Sequence, residues 1–230
     1  MVKQSNSLQR YGMGSSMIIF DLFSGTGSAT KAFRDAGHTV ISFELNPKQS
    51  ATENVDIMTL KAADLVERYG KPDFIWASPP CTTFSVASCR IYWNPDGTPK
   101  SPKVYEALKL VAHTIELMQE INPRHGWLME NPRGMLRKQK VVEGLQRQTI
   151  TYCQYGDTRM KPTDLWGNVP GWTPRAMCKN GDPCHEPGPR GTASGTQRLR
   201  SAVLRSMIAP DLSKELLAIM EGHAENDAQS

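Results

Sequence analysis

The chain has 230 residues, a formal net charge of +4, 39% hydrophobic and 22% charged residues, a composition that suits one α/β domain with a modest insertion. No stretch approaches the roughly 18 consecutive apolar residues of a membrane span, and residues 1–16 are polar, without the apolar centre of a signal peptide. Five cysteines are odd in number and sparse, which argues against a disulfide framework and for a reducing cytoplasm.

Residues 1–16 show no periodicity and predict a flexible arm. Met17 to Phe23 is almost continuously apolar, the pattern of a strand buried on both faces. A turn over Ser24–Ser28 leads into an expected helix over Ala29–Ala36, closed by Gly37. Val40–Glu44 predicts a second strand, ending in an acid. A helix is expected over 48–60, and Ala63-Asp64-Leu65 reads as a short connection near a third strand. Asp73–Trp76 is the next buried strand; Pro79 and Pro80 stop it, since neither donates a ladder hydrogen bond, and they hold Cys81 stiffly at its carboxyl end. Residues 91–103 look mobile. Leu108, Val111, Ile115, Leu117 and Met118 fall on one face of a helix over 104–121. Trp127–Glu130 reads as a strand, Met135–Gln148 as a short basic helix and Thr149–Tyr155 as a further strand. From 168 to 196 Gly and Pro leave no periodic segment. A helical pattern returns over 199–221, interrupted at Pro210. Strand–helix alternation of this kind predicts an α/β fold, doubly wound, with a mostly parallel sheet and right-handed crossovers.

Chemistry is legible at three places. Gly25-Thr26-Gly27 sits between a strand and a helix, as a nucleotide-binding turn does, although the third glycine of the dinucleotide pattern is missing. Glu44 ends the second strand, where an acid takes ribose hydroxyls in doubly wound folds; the plainer alternative is a surface carboxylate. Together they point to an adenosine-bearing cofactor. Cys81 and Glu130 both end strands and should share one rim of the sheet. A thiol and a carboxyl placed so suit covalent catalysis on an electrophilic ring, against the plainer readings of a half-buried thiol and a carboxylate capping nearby backbone. From Arg124 to Arg205 there are 14 Lys and Arg against 6 Asp and Glu, and the remainder of the chain is net acidic. That asymmetry suggests a polyanion bound on one side.

Asp21-Leu22-Phe23-Ser24-Gly25-Thr26-Gly27, then Pro79-Pro80-Cys81-Thr82-Thr83-Phe84-Ser85, then Glu130-Asn131-Pro132 follow the order of motifs in DNA cytosine-5 methyltransferases, and the chain resembles that family from Met17 to Gly167. The resemblance implies a Rossmann-like domain that binds S-adenosylmethionine. Its cofactor residues would be Asp21, Phe23, Ser24, Gly25, Thr26, Gly27, Glu44 on the ribose, Leu45, Asp64 near the adenine amino group, Leu65 and Pro79. Cys81 would attack C6 of a flipped cytosine and Glu130 would act at N3. Arg159, in Asp157-Thr158-Arg159-Met160-Lys161, resembles the family's basic motif and would hold the base and steady Cys81, or else contact a phosphate. Ser85, Arg133, Lys161, Arg175, Lys179, Arg190 and Arg198 would meet double-stranded DNA. The implied organisation is an arm (1–16), a catalytic domain (17–167), a short target-recognition insertion (168–197), closing helices (198–222) and a tail (223–230).

The sequence departs from the family at Thr82, where glutamine is usual, in the missing glutamine that should lead the basic motif, and in the missing Gly-Asn-Val element near the C-terminus. The recognition segment is as short as in compact phage or prophage versions, which implies the cytoplasm of a bacterial host. No obligate protein partner is evident, and monomer and dimer both stay open. Cys178, Cys184 and His185 lie close enough in sequence to hold zinc, but the spacing is not Cys-x2-Cys and no fourth ligand is evident. The alternative there is a loop that orders on DNA, so no metal is assigned. Cys89 and Cys153 read as structural. Rival functions are methylation of RNA cytosine, methylation of an exocyclic amino group, and a non-catalytic nucleic-acid-binding remnant.

Overall fold

The computed structural model describes residues 16–188, 199 and 201–227. Seven strands form one sheet: β1 (Ile18–Leu22), β2 (Thr39–Glu44), β3 (Glu53–Asn54), β4 (Phe74–Ala77), β5 (Trp127–Pro132), β6 (Arg147–Thr151) and β7 (Pro162–Asn168), in the spatial order β3-β2-β1-β4-β5-β7-β6. The pairs β1–β2, β1–β4, β2–β3 and β4–β5 are parallel, whereas β7 runs antiparallel to both β5 and β6. The helices are α1 (Lys31–Asp35), α2 (Ala62–Tyr69), α3 (Cys89–Tyr92), α4 (Pro102–Ile121), α5 (Ala202–Ser206) and α6 (Pro210–Asp227).

Side chains alternate across each strand, so the apolar runs of β1 and β4 feed two cores at once. Phe20, Leu22, Ile75 and Ala77 pack with Leu65 of α2 and Val111 and Ile115 of α4 on one face. Ile19, Phe74 and Trp76 pack with Phe33 of α1 and Leu212, Leu216 and Met220 of α6 on the other. The chain leaves β1 toward β2 in one direction and reaches β4 in the other. That reversal opens a crevice beyond the carboxyl ends of β1 and β4, where doubly wound sheets bind ligands.

Two expectations are corrected. Residues 48–60 form β3 and a 3-10 turn over Ile57–Thr59, and the helix comes next, as α2. Lys61–Tyr69 is the better helix former, with Leu65 on its buried face and Gly70 (φ 81°) at its C-cap. Met135–Gln148 contains two 3-10 turns in place of a helix, ending at Gly144 (φ 78°) before β6 begins. Within 91–103 a turn is closed by a Trp93–Pro99 bridge. The strand β7 has no counterpart among the expected elements. The expected arm is outside the described residues except for Ser16; residues 228–230 of the tail are outside them too.

Candidate active site

Two adjoining cavities fill the switch-point crevice. The larger, about 770 Å³, is lined by Asp21, Phe23–Thr26, Ser78–Thr82, Ser85, Glu130 and Lys161, and is closed on one side by Ala202, Arg205 and Ile208. The smaller, about 540 Å³, is lined by Glu44–Pro47, Asp56, Ile57 and Leu110. Phe23, Ser78 and Pro80 belong to both.

The turn after β1 is bent to reach the ligand side. Phe23 has φ 60°, unusual for a residue with a side chain, and Gly25 follows at φ 49°. The turn is tied to β2: Ser24 N–H donates to Phe43 O (3.1 Å) and Gly25 N–H to Glu44 Oε2 (3.0 Å). Glu44 Oε1 accepts from Asn46 N–H (2.9 Å), so the carboxylate is oriented at the mouth of the smaller cavity. Gly27 does not line either cavity; it closes the turn by donating to Ser24 O (2.7 Å).

Beyond β4, Ser78 N–H still pairs with Leu22 O (3.1 Å) before the two prolines end the ladder. Asn131, fully buried, donates through Nδ2 to Pro79 O (3.0 Å). This bond pins the cysteine loop to the strand that carries Glu130. The loop then coils, with Phe84 and Ser85 N–H both donating to Cys81 O (3.0 Å). At Gly134 a Cβ would lie 2.2 Å from Phe84 O, so only glycine lets the two segments touch. Cys81 is half-buried at this junction.

Glu130 is 5% exposed; its Oε1 accepts from Tyr152 O–H (3.2 Å) and lies 3.5 Å from Lys161 Nζ. The Lys161 ammonium also sits 4.6 Å above the Tyr152 ring. Burial and the charge of Glu130 push the Cys81 thiol up, and Lys161 pulls it down. Burial first, then Glu130, pushes the Tyr152 phenol far above its usual range, which keeps it a donor. Asp21 is pushed up to about 6 by burial, against a hydrogen bond from Thr30. Its Oδ1 and the Ser24 hydroxyl are buried without a protein partner.

Most of the expected site residues meet here, and four corrections follow. Asp64 is exposed on α2 and Leu65 is core, so neither reaches a cavity; Asp56 and Ile57 take that place, because the helix begins later than expected. Arg159 does not line the cavity. It pairs with Asp157 and donates to the carbonyls of Leu204 (3.1 Å), Arg205 (3.2 Å) and Met207 (3.2 Å), fastening the closing helices to the body. Lys161, expected on DNA, instead faces Glu130. Arg175 is bound to Glu215 (2.7 Å) and Gln154 O (2.6 Å), which turns it toward α6. Lys179 and Arg133 are exposed, and Ser85 lines the cavity. Arg190 and Arg198 lie outside the described residues. Tyr152 carried no sequence signal, and Asp56-Ile57 was hidden inside the helix expected over 48–60. Cys153, read as structural, joins Cys178, Cys184 and His185 in one cluster.

The residues fit S-adenosylmethionine. The buried, unpartnered Asp21 Oδ1 suits a cationic group, and the smaller cavity offers Glu44 for ribose hydroxyls beside an apolar slot between Ile57 and Leu110. A doubly wound sheet that brings this turn and a thiol to one crevice has the arrangement of an S-adenosylmethionine-dependent methyltransferase. Residues 17–151 match the model of the C-5 cytosine-specific DNA methylases, and the chain belongs to that family. A probable DNA (cytosine-5)-methyltransferase of Frog virus 3 (isolate Goorha) is 29% identical over 215 residues, 84% of this chain and 97% of that relative. Among solved structures, an Entamoeba histolytica methyltransferase is 12% identical with a TM-score of 0.48, covering 67% of this chain and 53% of its own. The S. pombe Dnmt2 methyltransferase is 15% identical with a TM-score of 0.43, covering 71% and 52%. The chain spans about half the length of these two structures. No helix among the described residues is long and apolar enough to cross a membrane.

Proposed function

We propose that the chain methylates C5 of a cytosine swung out of double-stranded DNA, with Cys81 as the covalent nucleophile. The supporting observation is that Cys81, Glu130 and Lys161 share a cavity with the Asp21–Thr26 turn. Extruding the base costs a few kcal/mol, drawn from DNA contacts. Cys81, resting as a thiol, passes its proton to the neighbouring Glu130 carboxylate as it attacks; its sulfur bonds to C6 and the ring electrons move toward C5. Glu130, held by Tyr152 and Lys161, meets the N3 edge of the base and delivers that proton to N3, which neutralises the charge added to the ring. S-adenosylmethionine, when bound, supplies the methyl group from its sulfonium. Loss of the C5 proton to water, return of the N3 proton to Glu130 and expulsion of the Cys81 thiolate restore the aromatic ring, and Glu130 then reprotonates Cys81. Glu44, Leu45, Asp56 and Ile57 hold the adenosine end, and Asp21 and Ser24 the amino-acid end, with Pro79 and Phe23 between.

Residues 168–197 act as the recognition insertion, with Ser85, Arg133 and Lys179 toward the DNA. The closing helices complete the catalytic domain, since α6 packs on α1. The reading places the enzyme in a reducing compartment, the cytoplasm of a bacterial host, where its cysteines stay reduced. Incubation with S-adenosylmethionine and duplex DNA, with matched RNA as a second arm, tests it by mass spectrometry of released nucleosides. The expected product is 5-methylcytosine from DNA, absent with Cys81→Ser. N4-methylcytosine, or product from RNA alone, would overturn the proposal.

A further inference from the structure

Away from the cavity, Cys153, Cys178, Cys184 and His185 turn their ligand atoms toward one point, all within 4.8 Å of one another. The separations are 3.7 Å for Cys184–Cys153, 3.7 Å for Cys178 to His185 Nδ1 and 3.7 Å for Cys184 to His185 Nδ1. A tetrahedral zinc with bonds of about 2.3 Å to sulfur and about 2.0 Å to nitrogen sets ligand atoms about 3.8 Å (S–S) and about 3.5 Å (S–N) apart. The Cys153–Cys178 pair, 3.0 Å apart, is far outside a disulfide's bond length of about 2.0 Å. It needs to open by less than about 1 Å to complete the tetrahedron.

We infer that this chain carries a structural zinc site whose ligands are three cysteines and one histidine. Three thiol protons leave on binding, and His185 binds as neutral imidazole through Nδ1. Four protein ligands leave no open coordination position, so the site is structural rather than catalytic. One ligand sulfur and one ligand backbone are held from outside the cluster. Gln154 Nε2 donates to Cys184 Sγ (3.3 Å), and Cys178 N–H donates to Thr151 Oγ1 (3.0 Å), which fixes that residue's backbone.

The need for the ion is plain from the chain. Beyond β7, residues 169–188 contain no helix or strand, and few of their side chains are buried. Such a segment cannot hold itself against the loss of chain entropy. Cys153 lies in the 3-10 turn after β6, one residue beyond Tyr152, whose hydroxyl bonds Glu130. Zinc therefore staples the irregular segment to the turn whose Tyr152 holds Glu130.

The test is metal content of the full chain, purified under reducing conditions without chelator. About one zinc per chain is expected, as is tetrahedral cobalt–thiolate absorption after exchange with Co²⁺. Both should survive Cys89→Ser, a thiol outside the cluster, and be lost in the double variant Cys153→Ser with Cys184→Ser. Should that variant fail to fold, His185→Cys supplies the second reading: a set of four thiolates retains zinc and shifts the cobalt spectrum. Metal-free protein that takes up no Co²⁺, iron in place of zinc, or a Cys153–Cys178 disulfide in mass spectrometry would overturn the assignment.

Discussion

Cys81 rests beside two opposite charges, and each should be visible in its reactivity. Glu130 holds the thiol up and Lys161 draws it down, and well below its pKa a thiol gains about tenfold in thiolate for every whole unit by which that pKa falls. Lys161→Met should therefore slow alkylation of Cys81 at pH 8 several-fold, while Glu130→Gln should speed it even as methylation is lost. Equal rates in both variants would mean that neither charge reaches the sulfur. Asp21 makes a different trade. Its carboxyl ionises at about 6 in the fold against 3.8 in a free chain, so the folded state holds the proton more tightly. Stability thus falls as pH rises from about 4 to about 6, by up to about 3 kcal/mol, and stays lowered above that. Asp21→Asn should raise the melting temperature of the cofactor-free protein at pH 7.5 and weaken S-adenosylmethionine binding. Calorimetry and titration check the two halves separately.

Between elements, contacts of backbone on backbone position the chemistry. The cysteine loop meets the turn after β5 where Met135 N–H donates to Phe84 O (2.7 Å), and Gly134 allows that approach. Gly134→Ala must push the segments apart, as the opposing atom is a carbonyl rather than a flexible side-chain end. The expected result is a kcat loss of tenfold or more with S-adenosylmethionine binding unchanged, since a misplacement near 1 Å can cost about 10²-fold. An unchanged kcat would free the loop from this constraint. Contacts of this kind are out of reach of the sequence, whereas the strands are not: apolar runs at 17–23 and 73–76 are readable because both faces are buried. Residues 48–60 mislead because their apolar members suit β3 and a 3-10 turn as well as a helix. That shift puts Asp56, rather than the expected Asp64, on the wall of the smaller cavity. The strand β7 is hidden because its polar residues are satisfied in pairs: Asp164 is buried against Arg137 and Thr149.

Over the whole molecule the second half is basic, yet several of its cations are spent internally. Arg137, Arg159 and Arg175 each bind a carboxylate of the same chain. The charge count read from sequence therefore overstates what is left for DNA, and pairing partners are invisible without the fold. Arg133 is exposed, next to Pro132 of the cavity wall. Arg133→Ala should weaken DNA binding equally for all sequences and lower the slope of log K against log salt by about 1. A change confined to one target sequence would mean that it reads a base.

The central claim is a bond from Cys81 to a cytosine ring, and 5-fluorocytosine duplex DNA tests it most directly, because fluorine blocks the loss of the C5 substituent that normally frees the enzyme. In the presence of S-adenosylmethionine, a denaturation-resistant complex should form, with the nucleotide mapped to the peptide containing Cys81, and none with Cys81→Ser. Methylation of ordinary cytosine without any such complex, or a complex mapped to another cysteine, would contradict the account.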